Sequence, residues 1–510
     1  MEEKNYIVGV DIGSSAITMA VGVKGEENIS VIGVKAQPID EGYVKNGDIQ
    51  NYVEVGKAII AAKEYLEKEY KVNLSSSYVG LSGKSVYCVR YEDYVDITSS
   101  NGCVTEAEIS GLKRRIEMAI PGGGDTIIDR IALRYRVDER NDVKSPLGTF
   151  GQKLYATYLL VMVSNQQSKL VSEAMNYAGL KVCGLCVNPA ILHDLLLTDR
   201  EREDGVAIVD IGSEVTDIAV VKDNKLCYFS SLPIGASSIN NDLRSFLMIP
   251  KKDIDLLKRK YGSATADGVD ADNMVTIISS HKVKKRVLQR NLAEIIQERL
   301  KDIAHFIHRE LKVSQFATKL PCGIVLTGGS AYLANIDELF SRELNMEVRL
   351  GRMLNGFDAN SQEEVSAFNQ GAALALLLYG SKHEKCMVRT TNTPLSASPR
   401  TVVSPPRVTP GNGGTYTPPT QTPQPTPPTT PTQTPPTQTP QEKIQSPDST
   451  KTTQPSDVNN GGKNDAPTST DKGGDKGGKK LTPEPPKKPS FGDRLRNLLG
   501  NVFNNDDEYL

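Results

Sequence analysis

The chain carries almost no net charge: 60 Lys and Arg against 62 Asp and Glu leave −2 over 510 residues. No global field therefore marks it as a nucleic-acid binder. Nor does any stretch approach the ~18 consecutive apolar residues that a membrane-spanning helix requires; the best run lies around Ala372–Tyr379. The opening Met1-Glu-Glu-Lys4 leads straight into a strand pattern, without the basic-then-apolar order of a secretory signal. The 7 cysteines, at 88, 103, 183, 186, 227, 322 and 386, sit mostly alone in apolar runs, as expected of a reduced cytoplasmic protein. Cys183-Gly-Leu-Cys186 has redox or metal spacing, but no second pair or His cluster accompanies it, so buried thiols are expected there. No internal array with a period of about 20–50 residues is visible.

What is present is a duplication. Asp-Ile-Gly occurs at 11–13 and again at 210–212, each time between two strand-like runs of alternating β-branched and apolar residues. The copies read Tyr6-Ile-Val-Gly-Val-Asp11-Ile12-Gly13-Ser14-Ser15 and Val206-Ala-Ile-Val-Asp210-Ile211-Gly212-Ser213-Glu214. A hairpin of this kind offers backbone N–H groups to a phosphate, here around Gly13, Ser14, Ser15, Gly212 and Ser213. The acid before the glycine, Asp11 or Asp210, can hold a hydrated metal ion. Two copies this far apart predict two related half-domains facing one ligand.

Two further segments fit such a ligand. Ile324–Thr327 reads as a buried strand running into Gly328-Gly329-Ser330, with a helix starting near Asn335. Paired glycines let a backbone approach a flat ligand closely, and Ser330 can hydrogen-bond it. Ile254-Asp255-Leu-Leu-Lys258-Arg-Lys-Tyr-Gly262 reads as a short helix, with Asp255 and Lys258 as further candidates. Lys258 is placed to reach a ribose or, alternatively, is a solvated charge. A small-residue helix from Asn369 is expected to stop at Gly380.

The pattern breaks near 385. Of the 29 prolines, 22 fall between Pro394 and Pro489, among Thr, Gln, Ser and Gly. Such a segment buries too little apolar surface to offset its ordering entropy and is expected to be a disordered linker. As a flexible coil of about 100 residues it would span roughly 50–60 Å. Helical periodicity returns at Ser490–Phe503. Phe491, Leu495, Leu498, Leu499, Val502 and Phe503 fall within an arc of roughly 140°, and Ser490 with Asp493 forms a capping box. Lys487, Lys488, Arg494 and Arg496 give the flank a charge suited to an anionic bilayer surface. Gly492, Gly500 and the following Asp506-Asp507-Glu508 oppose that reading, and a docked helix on a protein groove is its alternative.

The order of phosphate hairpin, connector, second hairpin, Leu-Leu-Lys-x-x-x-Gly helix, Gly-Gly turn and closing helix resembles the actin-like ATPase superfamily. Within it, the chain is similar to the FtsA family of bacterial cell-division proteins. Ile131–Asp138, Ser145-Pro-Leu-Gly148-Thr-Phe-Gly151, Gly179-Leu-Lys-Val and the terminal amphipathic helix carry that likeness. It implies an α/β, actin-like two-domain fold of duplicated βββαβα halves. The first half would take 1–85 and 165–204, around an inserted family-type subdomain at 86–164. The second half would take 205–385, with a small subdomain at about 237–312. A linker at 386–489, a membrane-targeting helix at 490–504 and an acidic tail at 505–510 would follow.

The resemblance further implies ATP with Mg²⁺ in the cleft, head-to-tail self-assembly, and a peripheral place on the cytoplasmic face of the membrane at the mid-cell division site. Its implied partners are the FtsZ C-terminal peptide, other divisome proteins and the anionic membrane surface, with no nucleic acid. The peptide's dock would lie on the small subdomain, where Lys282, Lys285 and Arg286 form a basic run; a solvated helix face is the alternative.

Three departures from the family pattern bear on chemistry. Ala16 stands where relatives carry a phosphate-binding lysine, Glu214-Val215 replace small residues of the second hairpin, and Asn188-Pro189 replace a Glu-Pro pair that positions water. An amide is a poorer proton acceptor, and phosphoryl transfer depends mainly on placed charges. Slow or absent turnover is expected, with Asp210 as the one catalytic candidate. An actin-like adaptor of another, pilus-type membrane assembly and a small-molecule kinase of the same superfamily remain the alternatives.

Overall fold

The computed structural model describes residues 5–389, apart from 27, 120–123, 279–283, 354–355, 359–360, 362–369 and 384–387. The expected linker beyond 389, the helix carrying Phe491, Arg494, Leu495, Leu498, Leu499, Val502 and Phe503, and the acidic tail lie outside the described residues, as does Lys282.

Two sheets repeat one topology. In the first, Asn5–Ile12 pairs antiparallel with Ala16–Lys24, which pairs antiparallel with Ile29–Pro38. On its other side Asn5–Ile12 runs parallel to Ser76–Leu81, and that strand runs parallel to Lys181–Val187. In the second sheet Val206–Ile211, Thr216–Lys222 and Lys225–Leu232 form the antiparallel run. Ile324–Thr327 and Val348–Leu350 add the parallel side. Parallel strands covered on both faces read as nearly continuous Val/Ile/Leu runs, which is why Val206–Val209 shows little polar alternation. Its Val206 and Ile208 enter the central core, while Ala207, Val209 and Ile211 enter a second core under the helix Gln289–Val313.

The central core spans both halves because two helices lie at its middle. Asn188–Leu196 packs on the second sheet and against Gly371–His383, which packs on the first. Gly380 does not end that helix, contrary to the sequence expectation. A Cβ there would come within 2.6 Å of Ile7 and 2.8 Å of Tyr78, so the glycine allows close helix–sheet contact and the helix runs on to His383. Pairing also continues past 385: Val388–Arg389 lies antiparallel to Asn5-Tyr6. At the end of the helix Asn188–Leu196, Arg349 of the second half donates to both carboxylate oxygens of Glu201, at 2.7 and 2.8 Å, and to the Leu196 carbonyl at 2.8 Å. Such a bidentate pair fixes orientation as well as distance.

The insert is an antiparallel sheet of Val86–Asp96, Lys153–Val163, Thr126–Val137 and Arg140–Val143, in that order across the sheet. The helix Glu106–Met118 covers one face through Leu112 and Ile116. It starts at Thr105 with a complete capping box to Glu108, which holds the Glu108 carboxyl down at about 2 through the Thr105 hydroxyl. Of the cysteines at 183 and 186, Cys186 is the expected buried thiol. Cys183 instead is disulfide-bonded; it lies half-buried on the edge strand of the sheet.

Candidate functional site

Both Asp-Ile-Gly segments form the turns of hairpins, and both glycines use their own N–H to close the turn. Gly13 N–H donates to the Ala16 carbonyl at 3.2 Å and Gly212 N–H to Val215 at 2.9 Å. The donors not consumed in this way belong to Ser14, Ser15, Ser213 and Glu214. The second turn is braced from behind. Its Gly212 and Ser213 carbonyls accept from Ala236 and Ser237, in the first turn of the helix Ala236–Leu247. These bonds supply partners for N–H groups that a helix start otherwise leaves open.

Register decides what stands beside each acid. Asp11 lies directly opposite Thr18, whereas Asp210 lies directly opposite Asp217. Like charges facing each other across strands are destabilising unless a proton or cation neutralises them. Burial, then Asp217, then Asp11 raise the Asp210 carboxyl to about 8. Asp11 is raised to about 6 by burial, against a hydrogen bond from Asn188 and with Asp217 adding to the rise. Burial also lifts Asp217 to about 6, against hydrogen bonds from Ser231 and Ser82. The counterweights are hydrogen bonds rather than basic side chains, in keeping with Ala16 where a lysine would stand.

Those hydrogen bonds form a chain between the hairpins. Asn188 Nδ2 donates to Asp11 Oδ1 at 2.7 Å and to Ser82 Oγ at 3.0 Å. Ser231 Oγ donates to Asp217 Oδ1 at 2.5 Å and accepts from the Gly83 N–H at 3.0 Å. Asn188, expected only as a weak substitute for a water-positioning carboxylate, thus holds Asp11 in place, and its Oδ1 is buried without a partner. Asp217, Ser82 and Ser231 were not singled out from the sequence. The signal was available for Asp217: a hairpin closed by Gly212–Val215 forces residues 210 and 217 to face one another.

The third signal adjoins the second hairpin. Ile324–Thr327 runs beside Val206–Ile211, with Thr327 next to Asp210. Gly328 then takes φ +88, and a Cβ on it would lie 2.2 Å from Asp210 Oδ1. At Gly329 a Cβ would meet nothing within 4 Å, and Ser330 Oγ is buried without a partner. The helix Lys251–Tyr261 is joined to this turn by a bridge between Ser263 and Ala334. Lys258 is 7 % exposed, which rules out the solvated alternative. Its Nζ lies 3.7 Å from Asp255, and burial lowers its pKa.

Among the described residues no group of three or more His, Cys, Asp or Glu side chains is arranged to hold a metal ion. The basic run at 281–286 is not a helix face in its described part. Lys284–Leu288 is a strand, with Lys285 turned to the Leu247 carbonyl and Arg286 exposed on the other side. Among the described residues no helix is long and apolar enough to cross a membrane.

Comparison with known proteins matches these parts to one family. The family model described as "Cell division protein FtsA" matches residues 207–369, and that described as "SHS2 domain inserted in FTSA" matches 83–162. The chain is 28% identical over 391 residues to the cell division protein FtsA of Escherichia coli strain K12, covering 74% of this chain and 91% of that protein. Against FtsA of Bacillus subtilis strain 168 it is 28% identical over 362 residues, covering 69% and 79%. Among solved structures, a PilM-PilN type IV pilus biogenesis complex aligns with TM-score 0.52 at 15% identity, over 74% of this chain and 98% of that one. That likeness concerns the fold alone, and the fold is actin-like.

Proposed function

We propose, from the premise that this chain belongs to the FtsA family of cell-division proteins, that it binds Mg²⁺-ATP between its two halves, assembles with itself and tethers FtsZ to the cytoplasmic membrane. The observation that carries the nucleotide reading is the approach of the two hairpins: Asp11 of the first lies close enough to Asp210 of the second to add to the rise of its carboxyl, and Asn188 and Ser82 link Asp11 toward Asp217. The residues present fit the ligand. A buried Lys258, an orphaned Ser330 Oγ and open space at Gly329 match a ribose and a flat base. The turn donors of Ser14, Ser15 and Ser213 match phosphates, and Asp11 and Asp210 match the hydration shell of a divalent cation. When bound, that cation supplies the positive charge that Ala16 leaves missing.

Turnover is slow in this reading. Asn188 donates its amide to Asp11, and an amide does not accept the proton of an attacking water as a carboxylate does. Asp210, raised to about 8, is the catalytic candidate. The membrane residues Phe491, Leu495, Leu498, Leu499, Val502 and Phe503 bind the bilayer, and Arg286, exposed on its strand, contributes to the FtsZ-tail dock. Lys285 is bonded to Leu247 and contributes less. A pilus-type adaptor gains nothing specific, since the PilM-PilN likeness is one of fold.

Co-sedimentation with anionic liposomes tests the reading as a whole. The full chain pellets and carries an FtsZ tail peptide with it. Deleting 490–510, or combining Leu498→Glu with Phe503→Glu, leaves both in the supernatant. Pelleting that these variants do not change overturns the membrane part. Peptide left behind by a pelleting chain overturns the FtsZ part.

A further inference from the structure

We propose that Glu214 is a latch that holds the two halves together across the cleft with no ligand present. Its carboxylate belongs to the turn of the second hairpin, yet Oε2 accepts the backbone N–H of Asn46, in the first half, at 2.6 Å. The donor is rigidly held. Val44–Lys45 and Asp48–Ile49 pair in a two-residue hairpin whose tip, Asn46-Gly47, has φ +50 and +81, the left-handed pair that an Asn-Gly turn of this type requires. The same tip reaches the other hairpin, since Gly47 N–H donates to Ser14 Oγ at 3.2 Å. One small tip thus touches both Asp-Ile-Gly turns, where the phosphates of a ligand would otherwise be the shared acceptor.

A second bond lies alongside. Gly47 and Gly83 are in backbone contact, for a Cβ on Gly47 would fall 2.6 Å from the Gly83 Cα. Gly83 N–H donates to Ser231 Oγ of the second half. Two adjoining first-half turns therefore each donate one backbone N–H to the second half. Of the two acceptors, Glu214 is the charged one, and charge-assisted bonds are the shorter and stronger class. A small residue at 214 would leave the Asn46 N–H for water or a ligand. With Glu214 the closed arrangement is built into the chain.

Amide hydrogen exchange on the ligand-free full chain tests this. In the parent, the Asn46 amide is protected. Glu214→Ala exchanges there at least tenfold faster, and Glu214→Gln, which keeps a neutral acceptor, falls between the two. The strand Ser76–Leu81 exchanges alike in all three and reports that the fold is intact. Exchange at Asn46 in Glu214→Ala within twofold of the parent, or an unprotected Asn46 in the parent, overturns the latch. Because no nucleotide is added, the result is independent of whether the cleft binds one.

Discussion

In the first hairpin an acid faces a threonine and accepts an amide; in the second an acid faces another acid. Asp11 has Thr18 opposite and Asn188 at 2.7 Å, and settles at about 6. Asp210 has Asp217 opposite, and burial first, then that neighbouring charge, lift it to about 8. The two copies share strand pairing and turn hydrogen bonds, with Gly13 N–H donating to Ala16 and Gly212 N–H to Val215, so the hairpin pattern does not separate them. The neighbour delivered by the return strand does. A duplicated fold therefore gives two unequal carboxylates: one that accepts a hydrogen bond from Asn188, and one raised further by burial and a facing acid.

The sharpest way to break this symmetry is through the glycines behind each acid. Gly328→Val places a branched side chain at φ +88, where even a Cβ would lie 2.2 Å from Asp210 Oδ1 and 2.7 Å from the Ile211 carbonyl. Backbone strain and overpacking together cost about 3 kcal/mol or more, measured by urea unfolding. Gly80→Ala, beside Asp11, meets Asn188 Oδ1 at 2.2 Å. A side chain yields where backbone does not, so the loss is smaller, about 1–2 kcal/mol. Equal losses would show that the two acids are equally confined.

The electrostatic difference predicts a pH dependence. Asp210 has its carboxyl raised from 3.8 to about 8 in the fold. The stability it contributes is fully present below about pH 4 and is lost as pH rises through 8. Asp217→Asn removes one raised acid and the charge that most strongly opposes ionisation of Asp210. The variant's stability relative to the parent therefore grows between pH 5 and 8, in urea unfolding at each pH. Parallel curves would contradict the coupling. A smaller effect of opposite sign is expected at the first hairpin. Asn188→Ala removes the bond that holds Asp11 down, so carbon-13 NMR finds the Asp11 carboxyl titrating above its parent value. A downward shift would contradict the role of the Asn188 amide in holding the Asp11 carboxyl down.

Much of this was legible in the sequence, for reasons that can be named. Asp-Ile-Gly between apolar alternations dictates a hairpin, and a buried four-residue strand before Gly328-Gly329 dictates a close turn, because both are local. Lys258 could be placed on a helix but not buried, since burial depends on the contact between the segments after Gly262 and Ser330. Gly380 reads as a helix stop in sequence because a glycine that ends a helix and one that lets a helix touch a sheet look the same along the chain. From sequence alone Glu214 is a charge in the turn of the second hairpin. Its bond to Asn46 joins residues 168 apart in sequence, and no local pattern encodes that. Ser82 and Ser231 escaped for the same reason, each being an ordinary serine until the cleft brings it to Asp217.

The central claim is that the unequal acids of twin hairpins receive one magnesium-bound nucleotide. Calorimetric titration with Mg²⁺-ATP at pH 7, repeated in buffers of different ionisation enthalpy, reads the protons exchanged on binding. A cation at Asp210, raised to about 8, expels its proton, so release of about one proton per nucleotide is predicted, falling toward zero at pH 9. Binding without proton release at pH 7, or no binding at all, would contradict it.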